Sequence, residues 1–145
     1  MDDLNALART GWAEDRSGGG VGMADVMCVV RNRVLIARAF VKEHGHPHPL
    51  FGDGTYASAC QMPWQFSCWN KNDPNLPKLL DVTEERDPWF AAAMGIAFNV
   101  IAGSVTDPTR GATHYKANSL PWPEAWGEPV PPLLNEGGQS YYIIA

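Results

Sequence analysis

Glu14 is the residue of this 145-residue chain whose position is best suited to acid–base chemistry. It continues the helical spacing of Leu4, Leu7 and Gly11, so it falls on a face that should be apolar. Loss of water on such a face raises the pKa of a carboxyl, and a protonated glutamate is what a general acid in glycosidic bond cleavage requires. The position is equally compatible with a side chain that frays outward or pairs with a neighbouring arginine.

Two aromatic segments, "PWQFSCWN" and "PWPEAW", are candidates for the walls of a sugar-binding cleft. Rings stack on the apolar faces of sugars, while amides and hydroxyls bond the sugar hydroxyl groups. Each tryptophan taken singly is equally well explained by packing under a loop. The rings and interleaved polar residues are Trp64, Gln65, Phe66, Ser67 and Trp69 in the first segment, and Trp122 and Trp126 in the second.

The segment "ATHYKA" places Thr113 and Tyr115 on one face of an extended chain and His114 on the other. Tyr115 could hydrogen-bond a leaving or attacking oxygen, whereas His114 could equally be a surface residue or a capped residue of the core. An alternative chemistry pairs Cys68 with His114 as the nucleophile and base of a peptidase or amidase. No flanking signature supports that pair, and Cys68 is also explained as a small buried side chain.

No motif in the sequence predicts a cofactor or a metal site. His44, His46 and His48 lie in the loop "HGHPHP", but no cysteine or carboxylate completes a ligand set at a convincing spacing. Three cysteines do not describe a disulfide scaffold, and we predict thiols. Cys60 and Cys68 are the pair that could bond in an oxidising compartment.

The elements that must position these residues are predicted to be mostly helical. Apolar periodicity and capping residues predict one helix from about residue 4 to 15, broken by "SGGG", whose glycines would let a ligand approach the backbone. Further helices are predicted over about 22–40, 56–60 and 77–80, and over a segment capped by Asp87 and followed by Gly103. "ATHYKA" and "SYYIIA" are expected to form a small hairpin. The fold class is therefore mainly α (α+β), in one domain over 1–145.

Charge and hydropathy exclude several classes of partner. The formal net charge of −5 argues against nucleic-acid binding, and it gives no attraction to anionic surfaces. The longest apolar run, "WFAAAMGIAFNVIAG", is shorter than the roughly 20 residues that a bilayer span needs and is predicted to be a core helix without membrane insertion. We expect a monomer.

The chain begins with Met1, Asp2 and Asp3 and shows no basic and apolar secretory signal. We therefore expect synthesis in the cytoplasm and release by another route. A bacteriophage endolysin freed through a holin, a virion-associated lysin and a fragment of a longer exported protein all fit this expectation.

Four segments resemble, in order, the SleB-like (spore-cortex-lytic enzyme type) cell wall hydrolases. They are "LARTGWAEDR", "ADVMCVVRNRV", "QFSCWN", and "DPTRGATHYKA" followed by "PWPEAW". The resemblance implies a lysozyme-like fold related to lytic transglycosylases, with Glu14 aligned with the family's catalytic glutamate. The family usually has Glu-Ala-Arg-Gly-Glu here. In this chain Asp15 replaces the alanine and "SGGG" replaces Gly-Glu, so the second family glutamate is missing.

The resemblance further implies cleavage of the β-1,4 bond between N-acetylmuramic acid and N-acetylglucosamine in peptidoglycan glycan strands. We expect lytic transglycosylation, in which Glu14 acts alone as acid and base and leaves 1,6-anhydro-muramic ends. Gln65, Ser67, Thr113 and Tyr115 would position the sugar. A hydrolytic muramidase is the second expectation, although Asp15 points about 100° away from Glu14 on a helix and is poorly placed as its partner.

Overall fold

Three long helices form the frame of the computed structural model, which describes residues 1–144. The three are α1 (Asp3–Asp15), α2 (Gly19–His44) and α5 (Pro88–Ile101), and two short helices, α3 (Tyr56–Gln61) and α4 (Leu76–Asp81), lie between α2 and α5 in the chain. Helices α1, α2 and α5 pack against one another around a core that includes Leu7, Trp12 and Phe90. The rings of Trp12 and Phe90 meet edge to face, with centroids 6.1 Å apart. All the predicted helices are present, so the mainly helical expectation is confirmed.

The junction between α1 and α2 differs from its prediction. Helix α1 is capped by Asp2, whose side chain accepts a hydrogen bond from the Asn5 amide, and it ends at Asp15 as expected. A single 3-10 turn, Arg16–Gly18, follows, and α2 then begins at Gly19. The "SGGG" segment therefore redirects the chain within one turn, and two of its glycines already belong to the second helix.

Helix α5 follows its capping signals closely. The Asp87 side chain accepts a hydrogen bond from the Phe90 amide at 3.0 Å, and Pro88 occupies the first helical position. Only one face of the helix packs into the core, since Trp89 and Phe98 are exposed. Among residues 1–144, no helix has the length and apolar character needed to cross a membrane.

A small antiparallel sheet completes the α+β fold. Its strands are β1 (His114–Ala117), β2 (Leu134–Glu136) and β3 (Gln139–Tyr142), in the spatial order β1-β3-β2. The predicted pairing of the two segments is confirmed, with His114 opposite Tyr142. β2, which was not predicted from the sequence, forms a hairpin with β3 through Gly137 and Gly138, both at positive φ. Ala145, the last residue of the predicted second strand, lies outside the described residues.

The sheet is attached to the helices through α2. Val29 of α2 packs with Ala112 and with Tyr141 of β3 in a second apolar cluster. This contact brings β1 beside α2 and toward the end of α1. The last turn of α1, the middle of α2 and the start of β1 therefore converge, and the candidate site lies where they meet.

Candidate active site

The last turn of α1 places Glu14 on the wall of a cavity of about 180 Å³. The other residues that line this cavity include Trp12 and Arg16 from the same end of the chain, Ser67, Cys68 and Asp73 from the irregular segment, and Lys78 from α4. The Glu14 side chain is half-buried. The predicted inward orientation of this carboxyl therefore corresponds to a cavity in the structure.

The surroundings of Glu14 favour its protonated form. Burial raises the pKa of Glu14, and the negative charges of Asp73 and Asp15 add to that effect. Two groups oppose this shift by lowering the pKa of Glu14. They are the Tyr115 hydroxyl, through a hydrogen bond, and Arg33, through its positive charge. The net shift is upward, so this carboxyl holds its proton to a higher pH than an exposed glutamate does. That behaviour suits a general acid.

Arg33 is the central cation of the site, and it was not among the site residues predicted from the sequence. It is buried between the rings of Phe51 and Phe66. Its Nε donates to the Thr113 carbonyl at 2.7 Å, and its Nη1 donates to Gln65 Oε1 at 3.2 Å. Burial lowers the pKa of Arg33 to about 10, so it remains charged at neutral pH. It therefore ties the irregular segment and β1 to α2 beside Glu14.

The first aromatic segment divides between the core and two cavities. Phe66 is 1% exposed and packs on Arg33, so its ring is not available to stack on a sugar. Gln65 is held by Arg33, and Ser67 lines the Glu14 cavity. The indole N–H of Trp69 donates to Thr10 Oγ1 at 2.9 Å, and its ring faces a second cavity.

β1 contributes one residue to Glu14 and directs its neighbours elsewhere. Tyr115 is half-buried beside Glu14, and the loss of water around it raises its pKa, so its hydroxyl stays available as a donor. Thr113 is buried, and its hydroxyl bonds His114 Nδ1 at 2.8 Å and the Ile144 amide at 3.1 Å. Neither Thr113 nor His114 lines the Glu14 cavity. The carbonyl and hydroxyl of Thr113 are thus both engaged by neighbouring residues, and its contact with a sugar stays a prediction.

Trp122 belongs to a separate aromatic cluster at the sheet. Its ring packs edge-on against Tyr142 and Trp126, and its N–H donates to the Gly127 carbonyl at 2.9 Å. His114 joins this cluster through Trp126, at 5.1 Å between ring centroids. The structure thus brings Tyr115 and Ser67 close to Glu14. Trp122 and His114 lie instead in the aromatic cluster at the sheet.

Asp15 and the glycines that follow it form a second, internal environment. The Asp15 carboxyl is buried and turns toward the start of α2. A Cβ at Gly18 would lie 2.7 Å from Asp15 Oδ2, and one at Gly22 would also collide with this carboxyl. The expectation that the "SGGG" glycines admit a bulky ligand is therefore wrong for Gly18, which, together with Gly22, makes room for Asp15. Asp15 does not line the Glu14 cavity.

Asp73 is a second carboxylate in the Glu14 cavity, and the sequence analysis missed it. Its Oδ1 accepts a hydrogen bond from the Asn75 amide at 2.8 Å, which fixes the turn in "NDPN". The turn-forming residues of this segment predict a loop. They carry no signal that the loop folds back on Glu14, because the two acids are far apart in the sequence.

The electrostatics of Cys68 and His114 do not suit a nucleophile–base pair. Burial and the nearby Glu14 raise the pKa of the Cys68 thiol, which disfavours the reactive thiolate. Burial lowers the pKa of His114 to about 4, and its Nδ1 is engaged by Thr113. Cys28, Cys60 and Cys68 are all free cysteines.

The histidine loop packs around one aromatic ring. His44, His46 and His48 lie 4.3, 5.3 and 4.9 Å from the Phe40 ring, centroid to centroid. Within residues 1–144 no group of three or more histidine, cysteine, aspartate or glutamate side chains is arranged to hold a metal ion.

Comparison with known proteins gives one match. The family described as Cell Wall Hydrolase matches residues 18–133, which make up most of the chain. The matched region begins just after Glu14. No curated protein and no solved structure matches the chain, so the lysozyme-like fold that the resemblance implies stays a prediction. With four fifths of its length matched, this chain belongs to the cell wall hydrolase family.

Proposed function

We propose that this protein cleaves the β-1,4 bond between N-acetylmuramic acid and N-acetylglucosamine in peptidoglycan, with Glu14 as general acid and base. The observation that carries the proposal is the position of Glu14, a desolvated carboxyl on a cavity wall with a raised pKa. Membership of the cell wall hydrolase family supplies the substrate class.

The proposed reaction is an intramolecular transglycosylation. Protonated Glu14 donates its proton to the glycosidic oxygen, and the bond to C1 of the muramic ring breaks as the N-acetylglucosamine hydroxyl leaves. The C6 hydroxyl of the same muramic ring then attacks C1 and gives its proton to the Glu14 carboxylate. The product is a 1,6-anhydro sugar, Glu14 regains its proton, and no water is consumed.

Tyr115 and Arg33 would adjust Glu14 between its two roles. The Tyr115 hydroxyl and the Arg33 charge both stabilise the carboxylate that exists after proton donation. Because Arg33 is held by Gln65 and the Thr113 carbonyl, its charge stays fixed relative to Glu14. The predicted contributions of Gln65 and Thr113 to substrate positioning would therefore act through Arg33.

The second candidate is a hydrolytic muramidase, and Asp73 is the observation that favours it. A hydrolase of this type uses two carboxyls that flank the bond, one as acid and one as base or nucleophile. Asp73 lines the same cavity as Glu14, whereas Asp15 does not. In a muramidase Asp73 would activate a water or attack C1 while Glu14 donates the proton.

Mass spectrometry of fragments released from purified peptidoglycan separates these mechanisms. Glu14→Gln should release no fragments, while Glu85→Gln, a matched change at an exposed glutamate, should behave as the unmodified chain does. Transglycosylation gives anhydro ends, each lighter by one water than a hydrolysed end, and these persist in Asp73→Asn. Hydrated reducing ends that disappear in Asp73→Asn identify the muramidase. Cleaved peptides, or glycan fragments from Glu14→Gln, would contradict both mechanisms.

A further inference from the structure

Trp64 is a large apolar residue that the core does not use. Its side chain is 79% exposed, and its backbone has φ +66°, in the left-handed region that bulky residues seldom occupy. Such strain persists where the surrounding structure imposes it, and it concentrates at functional positions. Core packing therefore does not explain why a tryptophan stands here.

Beside Trp64 lies a cavity of about 350 Å³, which we call the Trp64 cleft. Its lining residues are two tryptophans, a proline, three residues with side-chain amides and a lysine: Trp64, Trp69, Pro63, Gln61, Asn70, Asn72 and Lys71. The volume falls within the range of small-ligand sites, and the lining combines apolar rings with a few polar groups, as such sites do. Trp69 is held rigid by its bond to Thr10.

We propose that the Trp64 cleft binds an N-acetylhexosamine unit of a glycan strand. Two indole rings offer apolar faces to a pyranose ring, and the amide side chains match the hydroxyl and acetamido groups of such a sugar. No carboxylate lines the cleft, so a neutral or anionic ligand meets no repulsion there. These side chains are therefore typical of a sugar site and not of a cation site.

The Trp64 cleft and the Glu14 cavity are built from one stretch of chain. Ser67, Cys68 and Asp73 line the Glu14 cavity, while the residues between them, Trp69 to Asn72, line the Trp64 cleft. A polymeric ligand can therefore engage both sites across this short segment. The inference rests on the proposed function for the identity of the polymer, and the cleft would hold a sugar of the same strand away from the bond that is cut.

Isothermal titration with the hexamer of N-acetylglucosamine tests the proposal. The measurement uses the Glu14→Gln variant, so that the hexamer is not cleaved. Two double variants are compared with it, one with Trp64→Gly and one with Trp89→Ala. Glycine accepts a positive φ without strain, so Trp64→Gly should unfold at the same temperature or higher. Trp89 is also an exposed tryptophan, 50% exposed on α5, and lies outside both cavities.

We expect Trp64→Gly to weaken binding of the hexamer about tenfold, as loss of an aromatic anchor commonly does, and Trp89→Ala to leave it unchanged. Equal affinity in the two variants would overturn the proposal. So would Trp64-dependent binding of a sugar-free stem peptide in place of the hexamer. In the active chain Trp64→Gly should raise KM for wall cleavage more than it lowers kcat.

The outcome for the cleft is separable from the outcome for Glu14. Trp64-dependent binding of the hexamer supports the cleft even if Glu14→Gln fails to stop wall cleavage, and in that case only the proposed function is refuted. If cleavage depends on Glu14 but Trp64→Gly does not weaken binding of the hexamer, only the proposal for the Trp64 cleft is refuted.

Discussion

Replacing Asp25 by asparagine should stabilise this protein at pH 8 far more than at pH 5. Asp25 lies on α2 and is 1% exposed, and within residues 1–144 no backbone amide, amide side chain or cation donates a hydrogen bond to either of its oxygens, which face the Glu136 carboxyl. Burial and the neighbouring Glu136 of β2 raise its pKa from 3.8 to about 7, with smaller contributions from Asp15 and Asp107. The Tyr141 hydroxyl, also buried and without a partner, lies near these acids.

The direction and the size of the pH effect on the free energy of unfolding follow from the raised pKa of Asp25. Between pH 4 and pH 7 the folded chain keeps the Asp25 proton that the unfolded chain releases, so stability falls as pH rises. The gap between 3.8 and about 7 amounts to about 4 kcal/mol at pH 8, as an upper bound, and to less than half of that at pH 5. An asparagine amide left without a partner costs about 1–3 kcal/mol. The net gain is about 1–3 kcal/mol at pH 8 and close to zero at pH 5.

Urea unfolding at the two pH values measures this difference. Asp81→Asn, at an exposed aspartate, is the matched control and should change the free energy of unfolding by less than about 0.5 kcal/mol at either pH. A gain for Asp25→Asn that is equal at pH 5 and pH 8 would refute the titration argument. Destabilisation at pH 8 would mean that the Asp25 carboxylate has a favourable partner.

Two further substitutions test the packing and the electrostatics around α1. Gly22→Ala should lower the free energy of unfolding by about 2 kcal/mol or more, because its Cβ collides with the Asp15 carboxyl. Gly95→Ala should raise the free energy of unfolding by about 0.5–1 kcal/mol, because a Cβ at this position of α5 meets open space. Urea unfolding of the two variants measures both effects, and midpoints that shift in the same direction would contradict the prediction. Tyr115→Phe removes a hydrogen bond that lowers the pKa of Glu14, so the alkaline limb of the pH–rate profile for wall cleavage should move upward. An unmoved limb would show that Tyr115 does not act on Glu14.

The helices were predictable because their signals are local. Asp87, Pro88 and Gly103 mark the ends of α5 within a few residues of the helix itself, and the structure follows them. The inward position of Glu14 was likewise available from spacing along α1. Each of these inferences depends on neighbours in the sequence, where geometry is fixed by the helical repeat.

The site partners of Glu14 were less predictable because they arrive from distant segments. Arg31, Arg33 and Arg38 all lie on α2, and Arg33 is the buried one because Phe51 and Phe66 pack on either side of it. Asp73 lies in a loop whose turn residues predict a loop but do not predict that it packs beside Glu14. The segment "ADVMCVVRNRV" of the resemblance includes Arg33 but assigns it no role.

Glu14 and Asp15 show how one helix end separates two kinds of acid. Successive residues on α1 point about 100° apart, so the two carboxyls enter different surroundings. Glu14 faces a cavity together with Tyr115 and the Arg33 charge, groups that permit it to lose and regain a proton. Asp15 faces Gly18 and Gly22, where burial raises its pKa, and it does not line the Glu14 cavity. Changes at Asp15 should therefore act mainly on stability, while changes at Tyr115 should act mainly on the pH dependence of catalysis.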